Sequence, residues 1–132
     1  MQTFLPYQNF QKSVQCLDYK RLGKQRAEAK QIIDILSSDI QSRWRNHPAV
    51  KMWNGYENSL KSYYNYTIIE WVGRGYNNSM KLFSMTEETI PPWLTEEFCN
   101  AHRSNLLRKN PIYYSQFGWN VPNDLPYIWP VK

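Results

Sequence analysis

Apolar positions recur at helical spacing in three stretches of the chain, and polar or proline- and glycine-bearing segments separate them. The first stretch runs from Asp18 to Leu36. Leu22, Ala29, Ile32, Ile33 and Leu36 fall on one side and predict a core face. Arg21, Lys24, Glu28 and Gln31 follow i, i+3, i+7, i+10 and form a polar stripe on another side. Asp18 is suited to cap the start of this helix. Gly23 inside it costs about 1 kcal/mol against Ala. Close helix packing and close approach of a backbone such as DNA explain that glycine equally well.

The second stretch predicts a helix from Gly55 to Val72, with Leu60, Tyr64, Thr67, Ile68 and Trp71 inward. Gly73 and Gly75 end it, and Arg74 suits the negative end of the dipole. A third helix opens at Thr95 as N-cap, carries Glu96 and Glu97 in its first turn and stops at Pro111. Shorter elements fill in between. Gln11 to Leu17 can form a short helix, and His47-Pro48 opens a helical turn reaching Trp53. Met1 to Phe10 reads as extended, Ser37 to Asn46 as a polar connection, and Tyr76 to Pro92 as the least regular part. The tail from Ile112 onward holds three prolines and six aromatic residues, too much ring area to leave in water, so it is expected to strap across the helices. No stretch alternates at period two. The expected fold is all-α: a compact single domain over residues 1–132, with three main helices, short helical turns and an aromatic-rich C-terminal strap.

Composition narrows the function classes. With 132 residues and 42% apolar positions the chain can bury a core unaided. A formal net charge of +5 favours a polyanionic partner, and an aromatic share of 16% leaves rings free to stack on flat ligands. Cys16 and Cys99 lack metal-ligand spacing and read as buried thiols of a reducing compartment. The two histidines, His47 and His102, add no metal motif, so neither metal nor cofactor is expected. No secretory signal or membrane-spanning run is visible, and a cytoplasmic monomer is expected.

Three groups of residues can carry chemistry. The basic stretch Lys20, Arg21, Lys24 and Arg26 leads up to one carboxylate, Glu28. Such cations favour the ionised acid, which suits stabilising a developing cation or accepting a proton. The bland reading is a solvated Lys24–Glu28 pair at i, i+4. The run Arg43-Trp44-Arg45-Asn46-His47-Pro48 has the makings of a phosphate clamp with a stacking ring. Equally, Trp44 packs and His47 is a structural hydrogen-bonder or a partner that orients Glu28. Arg103, Arg108 and Lys109 precede Tyr113, Tyr114 and Trp119, fitting contacts to a flipped base or ordinary helix-end charge. His102, spaced with Phe98 and Leu106, reads as structural.

These residues, in this order, resemble the pyrimidine-dimer DNA glycosylases of the phage endonuclease V type and their bacterial relatives. The similarity is carried by Leu17-Asp18, Leu22, Arg26 and Glu28, then Arg45-Asn46-His47-Pro48, then Arg74-Gly75-Tyr76-Asn77, and finally Arg103 to Gly118. The opening Met1-Gln2-Thr3-Phe4-Leu5-Pro6 and the run His47 to Trp53 are similar to a small branch of that group. The resemblance implies a compact all-α fold that binds and distorts duplex DNA. It implies an N-terminal α-amine attacking the sugar C1′, a glutamate supporting the sugar chemistry, and strand cleavage by β-elimination through a Schiff base. The glutamate maps to Glu28. The arginine that precedes it in the family is unmatched, since position 27 is Ala. The amine maps to Met1 or Gln2; the bulk of Gln2 hinders removal of Met1, and an exposed Gln2 could cyclise. Lys20 or Lys24 is the alternative amine, but an α-amine is less basic and more of it is neutral at physiological pH.

The expected activity is therefore a DNA-repair glycosylase excising UV-induced pyrimidine dimers, with associated lyase activity, in a bacterial or phage-infected cell. Its expected partner is lesion-bearing double-stranded DNA. The expected DNA-facing residues are Arg21, Lys24, Arg26, Arg43, Arg45, His47, Lys51, Arg74, Arg103 and Arg108. A glycosylase for another damaged or modified base, and a non-catalytic nucleic-acid-binding module, fit the same residues.

Overall fold

The computed structural model describes residues 1–38, 42–84 and 89–131. Six α-helices and one 3-10 turn follow in order, with no strand among the described residues: α1 (Phe10–Gln15), α2 (Tyr19–Leu36), α3 (Pro48–Lys51), α4 (Glu57–Gly73), α5 (Glu96–Lys109), α6 (Pro111–Tyr114) and the turn Ser115–Phe117. The all-α expectation holds. Asp18 caps α2 by accepting the Arg21 backbone N–H, and Thr95 caps α5 in the same way through Phe98. Gly75, at φ +90°, lets the chain turn away after α4.

The long helices α2 and α4 pack against each other, with α1 on α4 and α3 on α2. Leu22, Ala29, Ile32 and Ile33 of α2 are buried as expected, while Leu36 is only partly covered. Gly23 lies against this packing. A Cβ there would meet the Trp71 ring at 3.1 Å, a tight contact that the ring would have to relieve by shifting a few tenths of an ångström. The polar connection before α3 lies partly outside the described residues. Among the described residues, no helix is long and apolar enough to cross a membrane.

The extended start of the chain is the organising feature. Gln2 to Leu5 thread between the helices and are buried. A lone buried extended segment has no neighbouring strand to satisfy its backbone, so side chains must do so. The Thr3 N–H donates to Gln2 Oε1 (2.9 Å), the Phe4 N–H to Gln25 Oε1 (2.9 Å) and the Leu5 N–H to His102 Nδ1 (2.9 Å). Trp53 Nε1 donates to Thr3 Oγ1 (3.0 Å). Helices α2 and α5 and the segment after α3 thus hold residues 2–5 in one position.

The C-terminal strap is present. Leu125 N–H donates to Ser104 Oγ (2.9 Å), and Asn105 Nδ2 donates to the Leu125 carbonyl (3.1 Å). These bonds pin the strap on α5 and carry Tyr127 to the rings of Phe4 and His102.

Candidate active site

One flank of α2 faces a cavity of about 440 Å³, and the chain start forms its other wall. Glu28 reaches it from the third turn of α2. Its Oε2 accepts from Gln25 Nε2 (3.2 Å) and, at a longer 3.4 Å, from the backbone N–H of Gln2. No hydrogen bond within the described residues occupies Oε1. Met1 and Gln2 line the same cavity. Among the described residues the i, i+4 pairing of Lys24 with Glu28 is not made; α2 instead forms Arg21–Asp18, to its N-cap, and Lys30–Asp34. Glu28 has turned from its helix neighbour to the chain start.

Lys20, Arg21 and Lys24 project from α2 around the opening, and Lys109 joins them from the end of α5. Four cations around one carboxylate make the cavity electropositive, which suits a phosphate-bearing ligand. Arg21 is held at 3.1 Å from Asp18 Oδ1. Burial alone would raise the Asp18 carboxyl, but hydrogen bonds from Tyr114 and Arg21 outweigh it and hold the group below its ordinary value. Phe4 and Tyr127 supply flat apolar wall.

The other expected DNA-facing residues lie elsewhere. Arg26 is on the opposite flank of α2, bonded to Asn78 Oδ1 (2.8 Å) and stacked 4.1 Å from the Trp71 ring centre. Arg43 is exposed over Trp44, and Lys51 is exposed on α3. Arg45 donates to the carbonyls of Ile35 and Ser38, both at 2.9 Å, at the end of α2. Arg74 closes the end of α1 through Gln15 O (3.0 Å) and pairs with Glu70. Arg103 bonds Glu96 and Asn100 and covers the Tyr7 ring. Arg108 holds the strap through Asn123 O (2.8 Å) and bonds Asn105 within α5.

His47 caps α3: its Nδ1 accepts the Ala49 N–H at 3.0 Å, and its ring lies against Trp44 and Trp129. It makes no hydrogen bond to Glu28. Burial, and then the positive charge of the chain's N-terminus, depress its pKa below the ordinary value. Cys16 and Cys99 are buried free thiols, both pushed up to about 12 by burial.

Sequence reasoning missed Gln25 and Tyr127 as parts of the cavity, and it grouped Lys109 with Arg103 and Arg108 and not with Glu28. Gln25 left a signal: it occupies a core position between Leu22 and Ala29, where a polar side chain needs buried partners. Lys109 and Tyr127 arrive only through the path of α5 and the strap.

The structure so far defines an all-helical protein with a basic cavity built around one carboxylate and the start of the chain. A family model described as pyrimidine dimer DNA glycosylase matches residues 1–84, well over half of the chain. The chain belongs to this family, a group of DNA-repair glycosylases. No curated protein and no solved structure matches it. The matched segment contains Glu28 and the chain start, while Lys109 and Tyr127 lie beyond it.

Proposed function

We propose that this chain excises UV-induced pyrimidine dimers from duplex DNA and cleaves the strand at the resulting site. One observation carries the reading: the Glu28 carboxylate and the chain start share one cation-lined cavity, with Glu28 Oε2 at 3.4 Å from the Gln2 nitrogen. The neutral α-amine of the chain start, on Met1 or on Gln2 if Met1 is removed, attacks C1′ of the damaged nucleotide. The C1′–N glycosidic bond breaks and its electron pair leaves with the base. Glu28 stabilises positive charge developing at the sugar and accepts the proton the amine gives up. The sugar ring opens to a Schiff base; loss of a C2′ proton then expels the 3′ phosphate by β-elimination. Lys20, Arg21, Lys24 and Lys109 hold the phosphates on either side.

Incubation with UV-irradiated duplex followed by borohydride tests this directly. A covalent adduct is expected, and peptide mass spectrometry should find it on the first residue and not on Lys20 or Lys24. Glu28→Gln should lower single-turnover base release by at least about 100-fold. DNA affinity and the thermal transition should stay near wild type. Absence of both base release and adduct would overturn the reading. Base release without an adduct would leave a glycosylase that uses water in place of the amine.

A further inference from the structure

Gln25 is 1% exposed and makes four hydrogen bonds, the full capacity the geometry allows. Its Nε2 donates to the Gln2 carbonyl (2.9 Å) and to Glu28 Oε2 (3.2 Å). Its Oε1 accepts the Phe4 N–H (2.9 Å) and lies 2.7 Å from the Tyr63 hydroxyl. The amide can face only one way. The Phe4 N–H can only donate and the Gln2 carbonyl can only accept, so exchanging oxygen and nitrogen would set like groups against each other at both ends. Tyr63, fully buried in α4, also lies 2.8 Å from the Phe4 carbonyl. Burial raises its pKa well above the ordinary value, so the hydroxyl keeps its one proton to share between the two oxygens.

We infer that Gln25, backed by Tyr63, is the positioning residue of the active site: it fixes the Glu28 carboxylate against the chain start and leaves Oε1 facing the cavity. This rests on the proposed function. One amide group spans both partners of the chemistry, the extended segment that carries the amine and the acid that serves it. Glu28 gains no rigidity from an ion pair, since Lys24 does not reach it. The Gln25 contact is the one side-chain bond that holds the carboxylate among the described residues. Losing it frees Oε2 to rotate and lets residues 2–4 slide along α2. Misplacement by about 1 Å costs on the order of 100-fold in rate.

The test uses Gln25→Met, Gln25→Glu and Tyr63→Phe in the full chain, each at a temperature where circular dichroism shows it folded. On UV-irradiated duplex, Gln25→Met should release base on the order of 100-fold more slowly under saturating single-turnover conditions. Its DNA affinity should stay within about threefold of wild type. Tyr63→Phe, which leaves the amide in place, should lose less. Gln25→Glu keeps the oxygen that accepts from Phe4 but has no donor until it is protonated. Its rate relative to wild type should therefore rise as pH falls, while that of Gln25→Met stays flat. A merely structural role would not produce that rescue. A folded Gln25→Met within threefold of the wild-type rate overturns the inference, as does a flat ratio for Gln25→Glu. If the wild type itself releases no base, the proposed function falls and the clamp is judged spectroscopically. The Gln25 side-chain amide resonances must then move in Glu28→Gln; unmoved resonances overturn the clamp independently.

Discussion

His102 shows what burial does to a single side chain here. Its ring is fully buried, 4.4 Å centre to centre from Phe98, and its Nδ1 is committed to the Leu5 N–H. That bond fixes the neutral tautomer with the proton on Nε2. Burial lowers its pKa from 6.5 to about 3. A depressed histidine stabilises the fold fully above its unfolded value and loses that contribution as pH falls. Unfolding free energy should therefore decline from about pH 6.5 toward pH 3, by up to about 1.4 kcal/mol per unit from this residue. His47, also depressed, adds in the same direction, and Asp18 adds below its ordinary value of 3.8. Denaturant titrations across that range check the slope, and His102→Gln should flatten most of it between pH 6.5 and 4. At this scale the sequence was partly legible. His102 reads as structural from its spacing with Phe98 and Leu106, and the structure agrees. Glu28 stands out as the acid at the end of a basic run. Gln25 shows only as a polar side chain at a core position; its role is hidden because its four partners sit on residues 2, 4, 28 and 63, which no linear pattern brings together.

Among the elements, α2 is the ridge on which the candidate site is built. Its apolar stripe, its cap at Asp18 and its end at Leu36 are all readable, because local spacing and capping chemistry decide them. The fate of the charges around it is not readable, since a guanidinium can serve a phosphate or a carbonyl equally well. Lys24 and Arg45 make the contrast testable. Lys24 is exposed at the cavity mouth, whereas Arg45 spends donors on the carbonyls of Ile35 and Ser38 at the negative end of α2. Arg45→Met should cost about 1–2 kcal/mol of stability and leave DNA affinity nearly unchanged. Lys24→Met should leave the thermal transition in place and weaken DNA binding. It should also reduce the log–log salt slope by about 0.9, the share of one phosphate contact. Thermal melts beside binding isotherms at several salt concentrations separate the two. A shallower slope for Arg45→Met would return that residue to the DNA surface.

For the whole molecule, the open question is what the last third of the chain contributes. Its aromatic content foretold a strap, since hydrophobic area on that scale has to be covered. Its destination was hidden, because the path of α5 and the turn through α6 decide it. The strap returns to the chain start and sets Tyr127 in the cavity wall, beside Phe4. Arg108 is the tie: it bonds the Asn123 carbonyl and Asn105 from the exposed side of α5 and is not itself one of the residues that line the cavity. Arg108→Met should therefore loosen the strap and displace Tyr127 without touching Glu28 or the chain start. The expected outcome is faster limited proteolysis within residues 120–131 and slower base release. The salt slope of DNA binding should match wild type. If Arg108 instead neutralises a phosphate, the same variant should lower the slope by about 0.9 and leave the proteolysis rate alone. Tyr127→Ala supplies the control, since it opens the cavity wall with the tie intact. It should slow base release to a similar degree with no change in proteolysis. If Arg108→Met and Tyr127→Ala both leave base release at the wild-type rate, the strap is a cover for the core and no part of the site.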